Sequence, residues 1–321
     1  MKIYVQRLSV ALLKALAYLP FPVLYALSDL FYFLVFYLIG YRKKVVYQNL
    51  RNSFPEKTEE EVNAIAKKYY RHFCDITLET IKMNRLPIEK LKKHVRFDHV
   101  DRLNKNFEDG KGVLLLCFHY NNWEWNAGLS KHVKHEIYGV YSPLKSNPPM
   151  EDYMSKMRLQ YGSTKVPMQN APRASFTINK GPNYGMLWLA ADQTPPSASQ
   201  YWTTFLNQET PFFSGPQKIA SKTNTPVFFH YIHKVKRGQY VADFFEISAN
   251  RDGESEHDIL LSYVDIIEQI IQKKPEYWLW SHRRWKHKRR ENQQLIPRNE
   301  HSSFKKIVDE MIDEKNKIKS I

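Results

Sequence analysis

Residues 113–118 (VLLLCF) and 186–191 (MLWLAA) are apolar at every position, and each run stops at a polar residue, His119 and Asp192. A strand wetted on one face alternates apolar and polar residues. A short run without alternation is what a strand covered on both faces requires, so helices must lie above and below it. Further strand signals fall at 94–98, 136–141, 226–232 and 240–247. Helical patterns separate them, near 100–108, 124–133, 149–160, 215–223 and 256–273. Strands alternating with helices in this way give an α/β fold with a largely parallel central sheet flanked by helices.

The ends of the chain differ from this middle. The most apolar stretch is 15–41; within it 30–41 (LFYFLVFYLIGY) carries no charge and Arg42, Lys43 and Lys44 follow. Pro20, Pro22, Ser28 and Asp29 interrupt the run, which leaves it short of the roughly 20 apolar residues of a clean transmembrane helix. A bent anchor and a pair of helices lying in the membrane interface both fit the aromatic run with its basic end, and so does a buried core helix. After residue 45 the chain turns globular: Thr58 with Glu61 is a capping box that opens an amphipathic helix over 58–82. Phe304, Ile307, Val308, Met311 and Ile312 suggest a last amphipathic helix. The expected division is a membrane anchor over 1–44, a catalytic domain over 45–295 and a helical tail over 296–321.

With 48 Lys and Arg against 33 Asp and Glu, the formal charge is +15, which calls for an anionic partner. Two cysteines, Cys74 and Cys117, exclude a disulfide framework and a four-thiolate zinc site. Eighteen Phe, 20 Tyr and seven Trp exclude intrinsic disorder. No P-loop, dinucleotide glycine pattern or Gly-x-Ser-x-Gly elbow occurs.

Chemistry concentrates where the first apolar run ends, in His119-Tyr120-Asn121-Asn122-Trp123-Glu124. The carboxyl end of a strand is where open α/β sheets bind ligands. A His steered by a carboxylate is a general base for a hydroxyl, and Glu124 returning from the first helical turn supplies one. Spacing alone favours a surface His near a capping Glu. Cys117 shares a strand face with His119 and is a second conceivable nucleophile, although its run favours a packed thiol. His132 with His135, and His230 with His233, lack the neighbours of a metal site.

The stretch CFHYNNWEW resembles the late acyltransferases of bacterial lipid A synthesis, the lauroyl/myristoyl transferase family. The similarity continues through Tyr141-Ser142-Pro143-Leu144-Lys145, Arg158, Gly162 and Asp192-Gln193. It extends to Phe212-Phe213, Gly215-Pro216, Ile219-Ala220 and Thr225-Pro226-Val227, and ends in residues 275–285 (PEYWLWSHRRW), covering about 45–290 in order. The resemblance implies a glycerolipid-acyltransferase-like sheet and transfer of a fatty acyl chain from acyl carrier protein to a lipid hydroxyl. It assigns His119 as base and Glu124 as its orienting acid. Asn122, Arg158, Asp192, Gln193, His282, Arg283 and Arg284 become candidates for substrate or oxyanion contacts, Arg158 as the cation and Asp192 as its holder or as lining. No metal or cofactor is implied. The glycerolipid acyltransferases differ in using Asp at the Glu124 position and in a downstream Pro-Glu-Gly-Thr block. Here the only Phe-Pro-Glu, at 54–56, lies upstream and lacks Gly-Thr.

The expected partners are an acyl carrier protein, a lipid acceptor and an anionic lipid surface, met by the basic segment 281–290. The implied location is the cytoplasmic face of a bacterial inner membrane. A membrane-tethered nucleic-acid-binding protein would use the same basic segment with Trp285 as a stacking platform, but leaves the strand-end motifs unexplained. An acyltransferase for another membrane lipid remains open.

Overall fold

The computed structural model describes residues 2–181, 183–248, 257–298 and 308–309. Among the described residues nine strands form: β1 (Val95–Phe97), β2 (Val113–Cys117), β3 (Glu136–Tyr141), β4 (Thr164–Pro167), β5 (Gly185–Ala190), β6 (Trp202–Phe205), β7 (Gln208–Pro211), β8 (Val227–Lys236) and β9 (Gln239–Ser248). Seven make one sheet in the order β1-β9-β8-β2-β5-β3-β4, parallel throughout except for the β8–β9 hairpin. Both apolar runs sit at its centre. Leu114 and Leu116 belong to one buried cluster and Val113 and Leu115 to another on the opposite face, which is why no polar residue interrupts them.

The helices are α1 (Lys2–Leu16), α2 (Phe21–Phe33), α3 (Lys43–Ser53), α4 (Glu59–Met83), α5 (Ile88–Leu91), α6 (Val100–Glu108), α7 (Pro148–Leu159), α8 (Ala171–Thr177), α9 (Gly215–Thr223) and α10 (Asp258–Lys273). The Thr58–Glu61 capping box opens α4 as its sequence requires. The helix expected near 124–133 is instead a run of 3-10 turns over Trp123–Lys131. Asn126, Gly128 and Ser130 are weak α formers, and Trp125 is pinned by its indole N–H to the Glu79 carbonyl.

Two features escape the apolar pattern. Strand β4 (TKVP) is a short edge strand with exposed polar residues and a proline at its end, the usual disguise of an edge. Strands β6 and β7 form a separate hairpin whose two turn residues, Leu206 and Asn207, both have positive φ. A leucine in that position hides the turn from inspection. It is held because Leu206 is fully buried and its N–H donates to Glu268.

At the N-terminus, Pro20 and Pro22 do not interrupt a helix; they begin one, where a missing N–H costs nothing. Helix α2 then continues through a π-helical segment, Leu34–Ile39, to Gly40 at φ 65°. The continuous stretch Phe21–Ile39 is long and apolar enough, by length and composition, to cross a membrane, yet only 17% of its apolar window is buried. A buried core helix is thereby excluded. One face of α2 is bonded to the body: Ser28 donates to Asp75 of α4, Tyr25 donates to Glu79, and Asp29 pairs with Arg237 in the β8–β9 turn. Gly238, at φ 74°, closes that turn so tightly on Tyr25 that a Cβ would collide with its hydroxyl. The expected C-terminal helix over 304–312 lies outside the described residues except at Val308 and Asp309, both helical, of which Val308 is buried.

Candidate active site

Strands β2 and β5 are parallel neighbours in the register Cys117 with Ala190. Two residues beyond each, at the same carboxyl edge, stand His119 and Asp192. The Asp192 carboxylate is buried and grips His119 twice, taking the ring Nδ1 at 2.8 Å and the backbone N–H at 3.1 Å. The indole N–H of Trp278 donates to its second oxygen at 2.9 Å. Burial alone would push Asp192 up, but the charge of His119 and these hydrogen bonds outweigh it and hold the carboxyl below its ordinary range. An ionised carboxylate only accepts, so Nδ1 carries the ring proton. That leaves the Nε2 lone pair free to accept from the Gln193 amide at 3.1 Å. The ring is thus fixed in the tautomer that suits a base at Nε2.

Glu124 does not occupy the orienting position expected of it, because Asp192 already fills Nδ1 and Gln193 faces Nε2. It forms instead a bidentate pair with Arg158 of α7, at 2.8 and 2.5 Å. Burial raises Glu124, and the charge and hydrogen bonds of Arg158, with a further contribution from His119, bring it below its ordinary range. Arg158 is raised by the Glu124 charge against its own burial. The expected Asp192–Arg158 contact is absent for the same reason: each acid is saturated by a different base. Asn122 is likewise withdrawn from substrate. Its side chain is buried, accepting from Trp125 N–H and donating to Glu79 at 2.8 Å. In the turn between them, Asn121 adopts φ 51°, a conformation Asn tolerates without glycine.

His119, Trp123, Glu124, Arg158 and Gln193 line a cavity of about 720 Å³. Its remaining wall is mostly apolar, from Val140, Leu144, Met154, Leu159, Met168, Trp188, Phe213 and Ile219 among others. Cys117 borders it, but burial pushes its thiol far up, so the thiolate needed for attack is suppressed. Among the described residues no group of His, Cys, Asp or Glu could hold a metal ion. His230, buried in the sheet, is pushed down to about 3 by that burial, as a packed neutral imidazole is.

The 275–285 segment acts as a brace rather than a rim. Leu279 N–H donates to the His119 carbonyl, Asn121 N–H to the Tyr277 carbonyl, and Trp278 to Asp192. His282 Nε2 accepts from the Thr194 N–H, and burial pushes its imidazole down to about 4. Arg284 is no surface phosphate grip. It is fully buried over the Phe212 ring, donates to the Pro211 carbonyl, and is pushed down to about 9 by burial. Arg283 is exposed but lies outside the cavity wall. The residue that sequence reasoning left without a role is Trp278, whose only signal was its place in the 275–285 block.

An acid-steered imidazole, a clamped guanidinium and an apolar cavity opening onto both form a constellation suited to acyl transfer. Comparison with known proteins agrees. The family model for bacterial lipid A biosynthesis acyltransferase matches residues 1–287. The chain is 22% identical over 270 residues to the lipid A biosynthesis palmitoleoyltransferase of Escherichia coli K12, covering 84% of this chain and 86% of that protein. It is 21% identical over 281 residues to the lauroyltransferase of the same organism, covering 87% and 90%. A lipid A biosynthesis acyltransferase of Haemophilus influenzae is 23% identical over 297 residues, covering 87% and 89%. The chain therefore belongs to the bacterial lipid A biosynthesis acyltransferases.

Proposed function

We propose that the protein transfers a fatty acyl chain from an acyl carrier protein thioester to a hydroxyl of a lipid A precursor, with His119 as general base. The observation that carries this reading is the Asp192–His119–Gln193 line, which presents a basic Nε2 to an apolar cavity. The acceptor hydroxyl displaces the Gln193 amide and gives its proton to Nε2. Its oxygen attacks the thioester carbonyl, and Asp192 stabilises the imidazolium that forms. Arg158, aimed by Glu124, faces the oxyanion of the tetrahedral intermediate. Collapse expels the thiolate, which takes the proton back from Nε2. A thioester is already activated, so no acyl-enzyme is needed. The apolar wall accommodates the chain.

The catalytic domain is set on the cytoplasmic face of the inner membrane, where a cytosolic acyl carrier protein can reach it. Exposed Tyr4, Leu8 and Leu12 of α1 and Leu30, Phe31 and Phe33 of α2 form the contact with lipid. Leu144 and Met168, both exposed and both in the cavity wall, carry that apolar surface to the site. Residues 1–44 thus serve as the anchor and 45–295 as the catalytic domain, followed by the 296–321 tail.

The test is mass spectrometry of lipids from cells lacking the gene and complemented with wild type or His119→Ala. The reading requires one additional acyl group on lipid A with wild type only. The same gain on another lipid alone would replace the acceptor, and a gain with His119→Ala would overturn the mechanism.

A further inference from the structure

A second cavity, of about 630 Å³, lies between α2, α4 and the β8–β9 turn, and no step of the transfer uses it. Its wall is charged, with Arg71, Lys234, Lys236 and Arg237 against Asp29 and Asp75. The acids are already neutralised: Arg237 bonds both carboxylates, at 2.9 Å to Asp29 and 2.6 Å to Asp75, and Lys234 lies 3.5 Å from Asp75. Arg71 and Lys236 form no ion pair among the described residues; Arg71 lies over the Tyr32 ring at 5.1 Å. Two cations therefore face the cavity with no ion-pair partner among the described residues. Strand β8 runs parallel to β2, so its end, with Lys234 and Lys236, lies at the same edge of the sheet as His119. Asp29 and Tyr32 belong to α2, whose exposed Leu30, Phe31 and Phe33 flank them in sequence.

We propose that this cavity binds a phosphate group of a membrane lipid, with Arg71 and Lys236 as its principal contacts. A phosphate offers several anionic oxygens to donors arriving from different elements, and guanidinium engages two at once. The exposed apolar face of α2 beside the cavity puts a lipid headgroup at this height when its tails lie against that helix. Assigning the phosphate to the acceptor rests on the lipid A reading above; the site itself does not.

The experiment uses the full-length protein in zwitterionic nanodiscs, comparing wild type with the Arg71→Ala/Lys236→Ala double variant. Both side chains are exposed, so equal thermal midpoints are expected and serve as the folding control. With a phosphorylated lipid A precursor the variant should raise KM about tenfold at nearly unchanged kcat, as loss of a charged contact does. Dephosphorylating the precursor should cost wild type the same factor and the variant nothing more. Sedimentation with phosphatidylcholine vesicles containing phosphatidic acid is the second arm. Loss of binding there, with acceptor KM unchanged, keeps the site and assigns it to a bilayer phosphate. Inhibition of wild type but not variant by inorganic phosphate assigns it to the free ion. Identical behaviour of both proteins in all three measurements overturns the site. If wild type acylates no lipid A precursor, the lipid A reading fails while the vesicle arm still decides the cavity.

Discussion

Two stretches of this chain look alike in sequence and end in opposite places. Residues 113–118 and 30–41 are both uninterrupted apolar runs that stop at polar or basic residues. The first becomes β2, buried at every position between two layers of helices. The second becomes the end of α2 and its π-helical extension, with Leu30, Phe31, Phe33, Tyr37, Leu38 and Ile39 bare. Hydropathy sets how strongly a segment leaves water, and its neighbours determine where it goes. Strand β2 finds its partners within the protein, so the turn after it is fixed from several sides. Helix α2 is bonded along one face only, and the other, with Leu30, Phe31 and Phe33, stays exposed among the described residues. On the proposed function, precision for chemistry is built at the first place and adhesion at the second.

The contrast is broken most severely at the fixed turn. His119→Ala should lower kcat by about a thousandfold or more in a protein that circular dichroism shows to be still folded, read by a transfer assay. Asp192→Asn should cost roughly a hundredfold to ten-thousandfold, because the imidazolium loses its counter-charge and the ring its enforced tautomer. The same substitution should alter acid unfolding. Asp192 is lowered in the folded state, so its contribution to stability is present above the ordinary aspartate range and lost as pH falls through the folded value. The variant should show a shallower acid limb.

Glu79 joins the two regions. It accepts from Tyr25 of α2, from Asn122 of the catalytic turn and from Tyr240. Glu79→Ala orphans three donors and should destabilise the fold by about 2–4 kcal/mol in chemical denaturation. A smaller effect is expected at the bare face. Leu8→Glu with Phe31→Glu should leave stability within about 0.5 kcal/mol. It should weaken vesicle binding about a hundredfold, roughly the burial of two large apolar side chains. Loss of folding instead would show that the face is covered by protein.

The sheet was readable because its central strands are fully covered and so carry an unbroken apolar signature. Strand β4 and the β6–β7 hairpin were not, since an edge strand and a turn held by Leu206 owe their form to distant contacts such as Glu268. His119, Glu124, Arg158, Asp192 and Gln193 could all be picked from the order of the motifs, and all five lie at the site. How they pair could not. His119 and Glu124 are close in sequence, whereas His119 and Asp192 are 73 residues apart and meet only through the β2–β5 register. The buried fate of Arg284 was equally hidden, because a basic run gives no sign of which member faces inward.

The central claim is that Asp192, and not Glu124, sets the state of the His119 ring. Nitrogen-15 NMR of the labelled resting enzyme reads this directly. The account predicts a protonated Nδ1 and a bare Nε2 in wild type, the same pattern in Glu124→Gln, and its loss in Asp192→Asn. A tautomer that survives Asp192→Asn but changes in Glu124→Gln would contradict it.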